Sequence, residues 1–148
     1  MDIETIKDFL NKKNTIGFVG ATVHKEKWGY KKYKEIKSAG FKIYPVNPKY
    51  DKVDGDKCFP NLKSLIEFLE EKPDSVITII PPKVTEKIVE QCIIFGINKI
   101  WMQPGSESEK AIKCCEENGI KVVYGICIVI DALKKFNELN KKCKDHMP

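Results

Sequence analysis

The sequence contains few of the residues that build metal centres and catalytic triads. Histidine occurs only at His24 and His146, and none of the six cysteines forms a C-x-x-C pair. Structural zinc sites need clusters of such ligands, and a serine hydrolase needs a histidine beside its nucleophile. His24 lies in a lysine-rich loop, where we expect it to be solvated, and His146 lies near the end of the chain. We therefore expect no metal site and no catalytic triad.

Long apolar runs are missing too. No stretch approaches about 20 consecutive apolar residues, the length needed to span a membrane. The chain opens with the acidic Asp2 and Glu4, whereas a secretory leader opens with basic and then apolar residues. These features predict a cytoplasmic protein with no membrane partner, whose thiols stay free in a reducing compartment.

Length and composition predict a single globular domain. The 148 residues suit one domain, and 42% hydrophobic with 32% charged residues is the balance of a folded chain. The net charge of +5 comes largely from lysines that lie beside acidic residues on predicted helix faces, so we expect no nucleic-acid partner. The predicted domain covers 1–148, with a short N-terminal helix at 2–12, a core at about 15–139 and a tail at 140–148.

Short apolar runs alternate with helical segments along the core. Gly40, Gly96 and Gly119 each precede such a run directly, and glycine readily adopts the left-handed conformation that ends helices. The alternation predicts an α/β, three-layer Rossmann-like fold with a mostly parallel sheet of five or six strands, the sixth near the Asp54-Gly55 turn. Predicted strands are 15–19, 41–46, 76–80, 99–102 and 121–124, and predicted helices are 30–39, 62–71, 84–95, 107–118 (with a capping box of Ser106 and Glu109) and 128–139.

The first predicted strand leads into a loop of small and basic residues. In a parallel sheet, ligands bind beyond the carboxyl ends of the strands. Small side chains let backbone amides approach a phosphate, and the start of the following helix favours negative charge. The spacing Gly17-x-x-Gly20 is not the G-x-G-x-x-G fingerprint of dinucleotide enzymes. The candidate phosphate-binding residues of this loop are Gly20, Ala21, Thr22, Lys25 and Lys27.

The second predicted strand ends without the acidic residue that NAD enzymes use to hold a ribose. The segment Val46-Asn47-Pro48 stands there instead. An amide tolerates a nearby phosphate, whereas a carboxylate would repel it by about 4 kcal/mol at about 4 Å and an effective dielectric of about 20. All three residues are candidates for binding a ligand that carries a phosphate near its sugar.

The segments that follow the third and fourth predicted strands also contribute residues to the predicted binding edge of the sheet. Pro81 and Pro82 provide a stiff apolar wall, and Gln103 and Gly105 follow the fourth strand as a polar anchor and an open turn. For Trp101 we expect core packing with its indole N–H satisfied.

The ordered series Val19-Gly20-Ala21-Thr22, Pro45-Val46-Asn47-Pro48, Trp101-x-Gln103-Pro104-Gly105 and a late Cys127 resembles a known family. This family comprises small, stand-alone CoA-binding proteins related to the nucleotide-binding domain of the succinyl-CoA synthetase alpha subunit. The resemblance covers roughly 15–139. It implies coenzyme A or an acyl-CoA as the cofactor, with the Gly20 loop near the diphosphate and the Asn47 segment near the adenosine. Thr22 replaces the usual serine, and 24–29 lacks the arginine often found there.

The function predicted on this basis is CoA binding without catalysis, as a carrier, sensor or accessory protein. The expected partner is a second copy of the chain or an acyl-CoA enzyme. Cys127 opens the last predicted helix, where the helix dipole favours a reactive thiolate, although a buried structural cysteine is the simpler interpretation. Two alternatives stay open: an NAD(P)- or other nucleotide-dependent enzyme, and a regulatory or interaction module with an unused pocket.

Overall fold

The computed structural model describes residues 3–134 of the chain, and its elements alternate as the sequence predicts. Within that part, strand and helix follow one another through four crossovers, with one small hairpin inserted. The strands are β1 (Thr15–Val19), β2 (Lys42–Val46), β3 (Lys52–Val53), β4 (Asp56–Lys57), β5 (Ser75–Thr78), β6 (Lys99–Met102) and β7 (Lys121–Val123). The helices are α1 (Ile3–Phe9), α2 (Trp28–Ser38), α3 (Leu62–Leu69), α4 (Pro82–Phe95), α5 (Glu109–Glu117) and a π-helix (Ile128–Leu133).

Five strands form one parallel sheet in the order β2-β1-β5-β6-β7. This confirms the α/β, Rossmann-like prediction. The sixth strand expected near Asp54 and Gly55 is instead part of a separate antiparallel hairpin, β3–β4. Its two turn residues both have positive φ, +49° and +81°, which the two-residue turns of tight hairpins require.

Apolar side chains cover both faces of the sheet, which gives three layers. On one face Phe9 of α1 and Tyr33 of α2 pack with the π-helix, and on the other Leu65 and Val89 pack with α5. Trp101 of β6 is fully buried, and its Nε1–H donates to the carbonyl of Ile126 at 3.1 Å, as predicted.

Element boundaries differ from the predictions in several places. The predicted capping box is wrong: Ser108 caps α5 by accepting the Ala111 N–H, whereas the buried Ser106 bonds Thr78 Oγ1 at 2.9 Å. The first helix is shorter than 2–12, and the last predicted helix begins as a π-helix. Residues 135–148, including the predicted tail, lie outside the described part, so the predicted domain limits stay a prediction. Within the described part, every helix is too short or too polar to cross a membrane.

Candidate ligand-binding site

One cavity, called the main cavity below, lies where the strand order reverses. From β1 the chain first adds β2 on one side and later β5 on the other, so the crossovers diverge between β1 and β5. Such switch points open a crevice at the carboxyl ends of the strands. A cavity of about 660 Å³ occurs at this place, with Val19, Val46 and Ile79 from the ends of three neighbouring strands in its wall.

Two glycines let the elements around this cavity approach closely. Gly20 has φ +107°, and a Cβ there would collide with the carbonyl of Ile79. A Cβ on Gly29, in the first turn of α2, would collide with the carbonyl of Gly20. Glycine is therefore required in the Gly20 loop because a side chain there would collide with the protein's own backbone. Sequence reasoning missed Gly29. A glycine near the start of a helix is unfavourable for helix formation, and this could have indicated a close approach of the backbone.

Asn47 holds the first two loops together. Its Nδ2 donates to the carbonyl of Ala21 at 2.9 Å, and its Oδ1 accepts the Lys49 N–H at 2.9 Å. Next to it, the Thr22 hydroxyl lies 3.0 Å from the Tyr50 hydroxyl. Asn47, Thr22, Lys49 and Tyr50 all line the cavity, whereas Ala21 is fully buried beneath it.

The charge around the main cavity is of one sign. Lys27, Lys49 and Lys87 line it, and none of its lining residues is acidic. The chain has no arginine, so any anion held here meets point-like ammonium groups rather than planar guanidinium groups. Lys27 and Pro81 also precede α2 and α4, and neither helix has a side-chain cap at its start. Uncapped helix starts favour anions because their free N–H groups point outward.

A smaller cavity of about 290 Å³ adjoins the main one. The two share Ile79, which follows β5. Gln103 and Cys127 lie in the wall of the smaller cavity, and both are buried. The Gln103 Nε2 donates to Cys127 Sγ at 3.4 Å, and its Oε1 accepts the Ile128 N–H at 2.9 Å. Gln103 thus fixes the chain at Cys127 and supplies a donor to its sulfur.

The structure brings together most of the predicted site residues. Ala21, Lys25, Pro82 and Gly105 line neither of the two cavities. Lys25 faces a groove beside α2, Pro82 occupies the first position of α4, and the Gly105 N–H donates to the Glu107 carboxylate. Those that line the main cavity are Gly20, Thr22, Lys27, Val46, Asn47, Pro48 and Pro81.

A whole wall of the main cavity escaped sequence reasoning. It comes from the chain between β2 and α3, which returns to the sheet where the Asn47 N–H donates to the carbonyl of Phe59 at 2.9 Å. The one feature of the sequence that could have indicated this wall is the cluster of proline and asparagine residues before α3. The residues missed in this wall are Lys49, Tyr50, Pro60, Asn61 and Leu62.

Comparisons with known proteins point to one family. A family model described as CoA binding domain matches residues 14–132. An ADP-forming acetate–CoA ligase from Methanocaldococcus jannaschii is 33% identical over 84 residues, which is 57% of this chain and 11% of the ligase. The chain thus spans about a tenth of that relative's length.

Shorter relatives match over nearly their whole length. The uncharacterized protein YneT from Bacillus subtilis is 27% identical over 130 residues, which is 84% of this chain and 90% of that protein. A conserved hypothetical protein from Pyrococcus furiosus has a solved structure with 33% identity and a TM-score of 0.73, covering 80% of this chain and 98% of its own.

Proposed function

This chain belongs to the CoA binding domain family, and from that premise we propose that it binds coenzyme A or an acyl-CoA at the carboxyl edge of its sheet. The observation that supports this best is the main cavity at the switch point, whose ionic lining residues are all lysines. A volume of about 660 Å³ lies within the range of about 300 to 1,000 Å³ that small-molecule sites occupy.

The donor set of the main cavity fits the anionic part of the ligand. CoA carries a diphosphate and a 3′-phosphate, and each phosphate needs cationic or N–H donors around it. Lys27, Lys49 and Lys87 supply the cations, and the uncapped start of α2 supplies backbone donors. Gly20 and Gly29 let the backbone segments of this wall approach one another closely. We infer that the adenosine and its phosphates occupy this cavity.

The apolar residues between the two cavities suit the pantetheine arm. Ile79, Ile80 and Val84 contribute to the wall, and Ile79 belongs to both cavities. An arm that crosses Ile79 ends beside Gln103 and Cys127. We infer that the thiol or thioester of the ligand faces the Cys127 thiol in the smaller cavity.

We propose a binding role without catalysis, as a carrier, sensor or accessory protein for an acyl-CoA enzyme. Among the residues that line the two cavities, none is a histidine. The His24 side chain is 52% exposed, as an ordinary solvated histidine would be. The groups at the thiol end, an amide and a thiol, suit holding a ligand in place.

Calorimetric titration with CoA, 3′-dephospho-CoA and NAD tests the proposal. We expect affinity in the order CoA, dephospho-CoA, NAD, because each step removes a negative charge from the ligand or changes its shape. At 100 times its Kd, CoA should add about 2.7 kcal/mol to the free energy of unfolding and raise the Tm by roughly 5 to 10 °C. Tighter binding of NAD than of CoA would overturn the proposal.

A matched pair of lysine variants locates the phosphates. Lys87 and Lys83 both lie on α4, but only Lys87 lines the cavity. Lys87→Met should weaken CoA about two- to fivefold at low salt, the size of effect typical of exposed charges. Lys83→Met removes the same charge from the same helix and should leave the Kd unchanged. Equal effects of the two variants would mean that only net charge matters.

A further inference from the structure

The smaller cavity contains an unusual charged residue. Of the charged residues in the described part of the chain, only Lys32 is buried, with 5% of its surface exposed. Its side chain, 7% exposed, lines the cavity together with Trp28, Ile79 and Pro104. Lysine is almost never buried unless it is paired, because removing an ammonium group from water is costly.

Among the described residues, Lys32 has one ionic partner, Glu35, and this pair compensates its charge only weakly. Its Nζ lies 3.4 Å from Glu35 Oε2, and the Glu35 side chain is 44% exposed. The same Nζ lies 5.2 Å from the centre of the Trp28 ring. An ammonium group has three N–H donors, and one long ion pair with a ring face leaves donors without an acceptor. A second anion in the cavity would satisfy them.

We propose that the smaller cavity receives the acyl end of an acyl-CoA and that Lys32 selects short acyl groups that end in a carboxylate. This rests on the proposed function, which brings the thioester past Ile79 to this cavity. Trp28 and Pro104 provide apolar walls for the methylene groups, and Lys32, in the same lining, provides the cation. The volume of about 290 Å³ is at the small end for ligand sites, which restricts the acyl group to a few carbons.

Two pairs of acyl-CoA ligands test this specificity. Succinyl-CoA and butyryl-CoA have the same number of acyl carbons and differ in the terminal carboxylate, and glutaryl-CoA and pentanoyl-CoA form the next longer pair. For the unmodified protein, we expect the carboxylate ligand of at least one pair to bind about tenfold more tightly than its partner, as expected for one hydrogen bond between charged groups. Calorimetry measures the ratio of the two Kd values.

Lysine variants on α2 assign the preference to one residue. Lys32→Met should bring the ratio close to one, and Lys32→Gln, a second neutral variant, should do the same. Lys31→Met is the matched control, because the Lys31 Nζ also lies over Trp28, at 5.0 Å, but Lys31 is exposed and outside the cavity lining. We expect Lys31→Met to retain the preference.

A variant of Glu35, the ion-pair partner of Lys32, distinguishes a role of Lys32 in ligand specificity from a purely structural role. Glu35→Gln removes the carboxylate that competes for Lys32, so it should tighten the binding of the carboxylate ligands alone. If Lys32 serves only the fold, Glu35→Gln lowers the Tm and leaves the ratio unchanged, which would overturn the inference. Binding of all ligands without a carboxylate preference would also overturn it while leaving the proposed function intact. No binding of CoA at all would refute both.

Discussion

The side-chain amide of Asn47 stabilises the loops that form the wall of the main cavity. Its Nδ2 donates to Ala21 in the loop after β1, and its Oδ1 accepts the Lys49 N–H within its own loop after β2. Sequence reasoning assigned this residue to the ligand, because an amide tolerates phosphate better than a carboxylate does. The hydrogen bonds give it a structural task besides, since they hold both loops at the cavity wall.

The substitution Asn47→Asp should therefore destabilise the protein. It replaces the donor to the Ala21 carbonyl with a carboxylate oxygen, so we expect the free energy of unfolding to fall by about 1 to 3 kcal/mol. Binding of CoA and of dephospho-CoA should weaken by similar factors, because the loops rather than one phosphate are disturbed. Thermal denaturation and calorimetry measure the two effects.

Asn61→Asp is the matched control. Asn61 lines the same cavity and caps α3 by accepting the Ser64 N–H, a role that aspartate fills equally well. This variant adds the same charge without removing a structural hydrogen bond, so its Tm should be unchanged. If Asn47→Asp keeps the Tm and weakens CoA much more than dephospho-CoA, then Asn47 senses the 3′-phosphate directly.

At the scale of elements, the β3–β4 hairpin fixes the wall that sequence reasoning missed. Three side chains of α2 hold it: Tyr33 donates to Asp56 at 2.6 Å, Tyr30 donates to Asp54 at 3.1 Å, and Lys37 pairs with both carboxylates. Burial and the bond to Asp56 raise the pKa of Tyr33. Burial alone would raise the pKa of Asp54, but hydrogen bonds from Lys37 and Tyr30 outweigh it and lower that pKa.

These contacts make the hairpin sensitive to acid. Because the pKa of Asp54 is lower in the folded protein, its contribution is present above the unfolded value of about 3.9 and is lost as the pH falls through the folded value. Asp54→Asn should lower the free energy of unfolding by about 0.5 to 1.5 kcal/mol at pH 7 and by less near pH 3. Urea denaturation of both proteins across this range measures the difference.

The exposed Asp51 provides the control for the hairpin, since Asp51→Asn removes a charge from the same loop. Its effect should be small at both pH values. A loss for Asp54→Asn that stays constant down to pH 3 would show that the turn geometry, and not the ionised carboxylate, stabilises the hairpin.

The elements were predictable where a local signal exists. Gly96 ends α4 in the left-handed conformation with φ +73°. A glycine directly before an apolar run predicts such a helix end. The start of α5 was misplaced because Ser106 and Ser108 are equally good caps in sequence, and only the burial of Ser106 against Thr78 distinguishes them. The wall built by Tyr50 was not predictable, because its position depends on the distant contacts of Asp54 and Asp56.

At the scale of the whole molecule, strand order decides which predicted residues meet. Gly20 and Asn47 directly follow the adjacent strands β1 and β2, and these strands were recognisable from apolar runs and turns. No local sequence pattern predicts that β5 pairs with β1. This pairing brings Ile79 to the Gly20 loop and connects the two cavities. The residues of the site were thus more predictable than its shape.

The five cysteines in the described part of the chain lie in different environments. Burial raises the pKa of Cys92 and Cys115 to about 12 and also raises that of Cys58. Cys114 is partly exposed on α5, and Cys127 lines the smaller cavity. Since the thiolate is the reactive form, these environments should give very different rates of alkylation.

Alkylation with iodoacetamide at pH 8, followed by peptide mass spectrometry, should therefore rank the thiols and locate the ligand. Because burial raises the pKa of Cys92 and Cys115 to about 12, both thiols are almost wholly protonated at this pH and should stay unmodified. Among the five described thiols, Cys114 should react fastest, and Cys127 more slowly, because the reagent must enter the cavity. Saturating CoA should then suppress the reaction of Cys127 alone, since the thiol end of the ligand fills the space beside its sulfur, while Cys114 serves as the internal control. Unchanged alkylation of Cys127 in the presence of bound CoA would place the thiol end outside the smaller cavity, and equal suppression at Cys114 would indicate a general tightening of the fold.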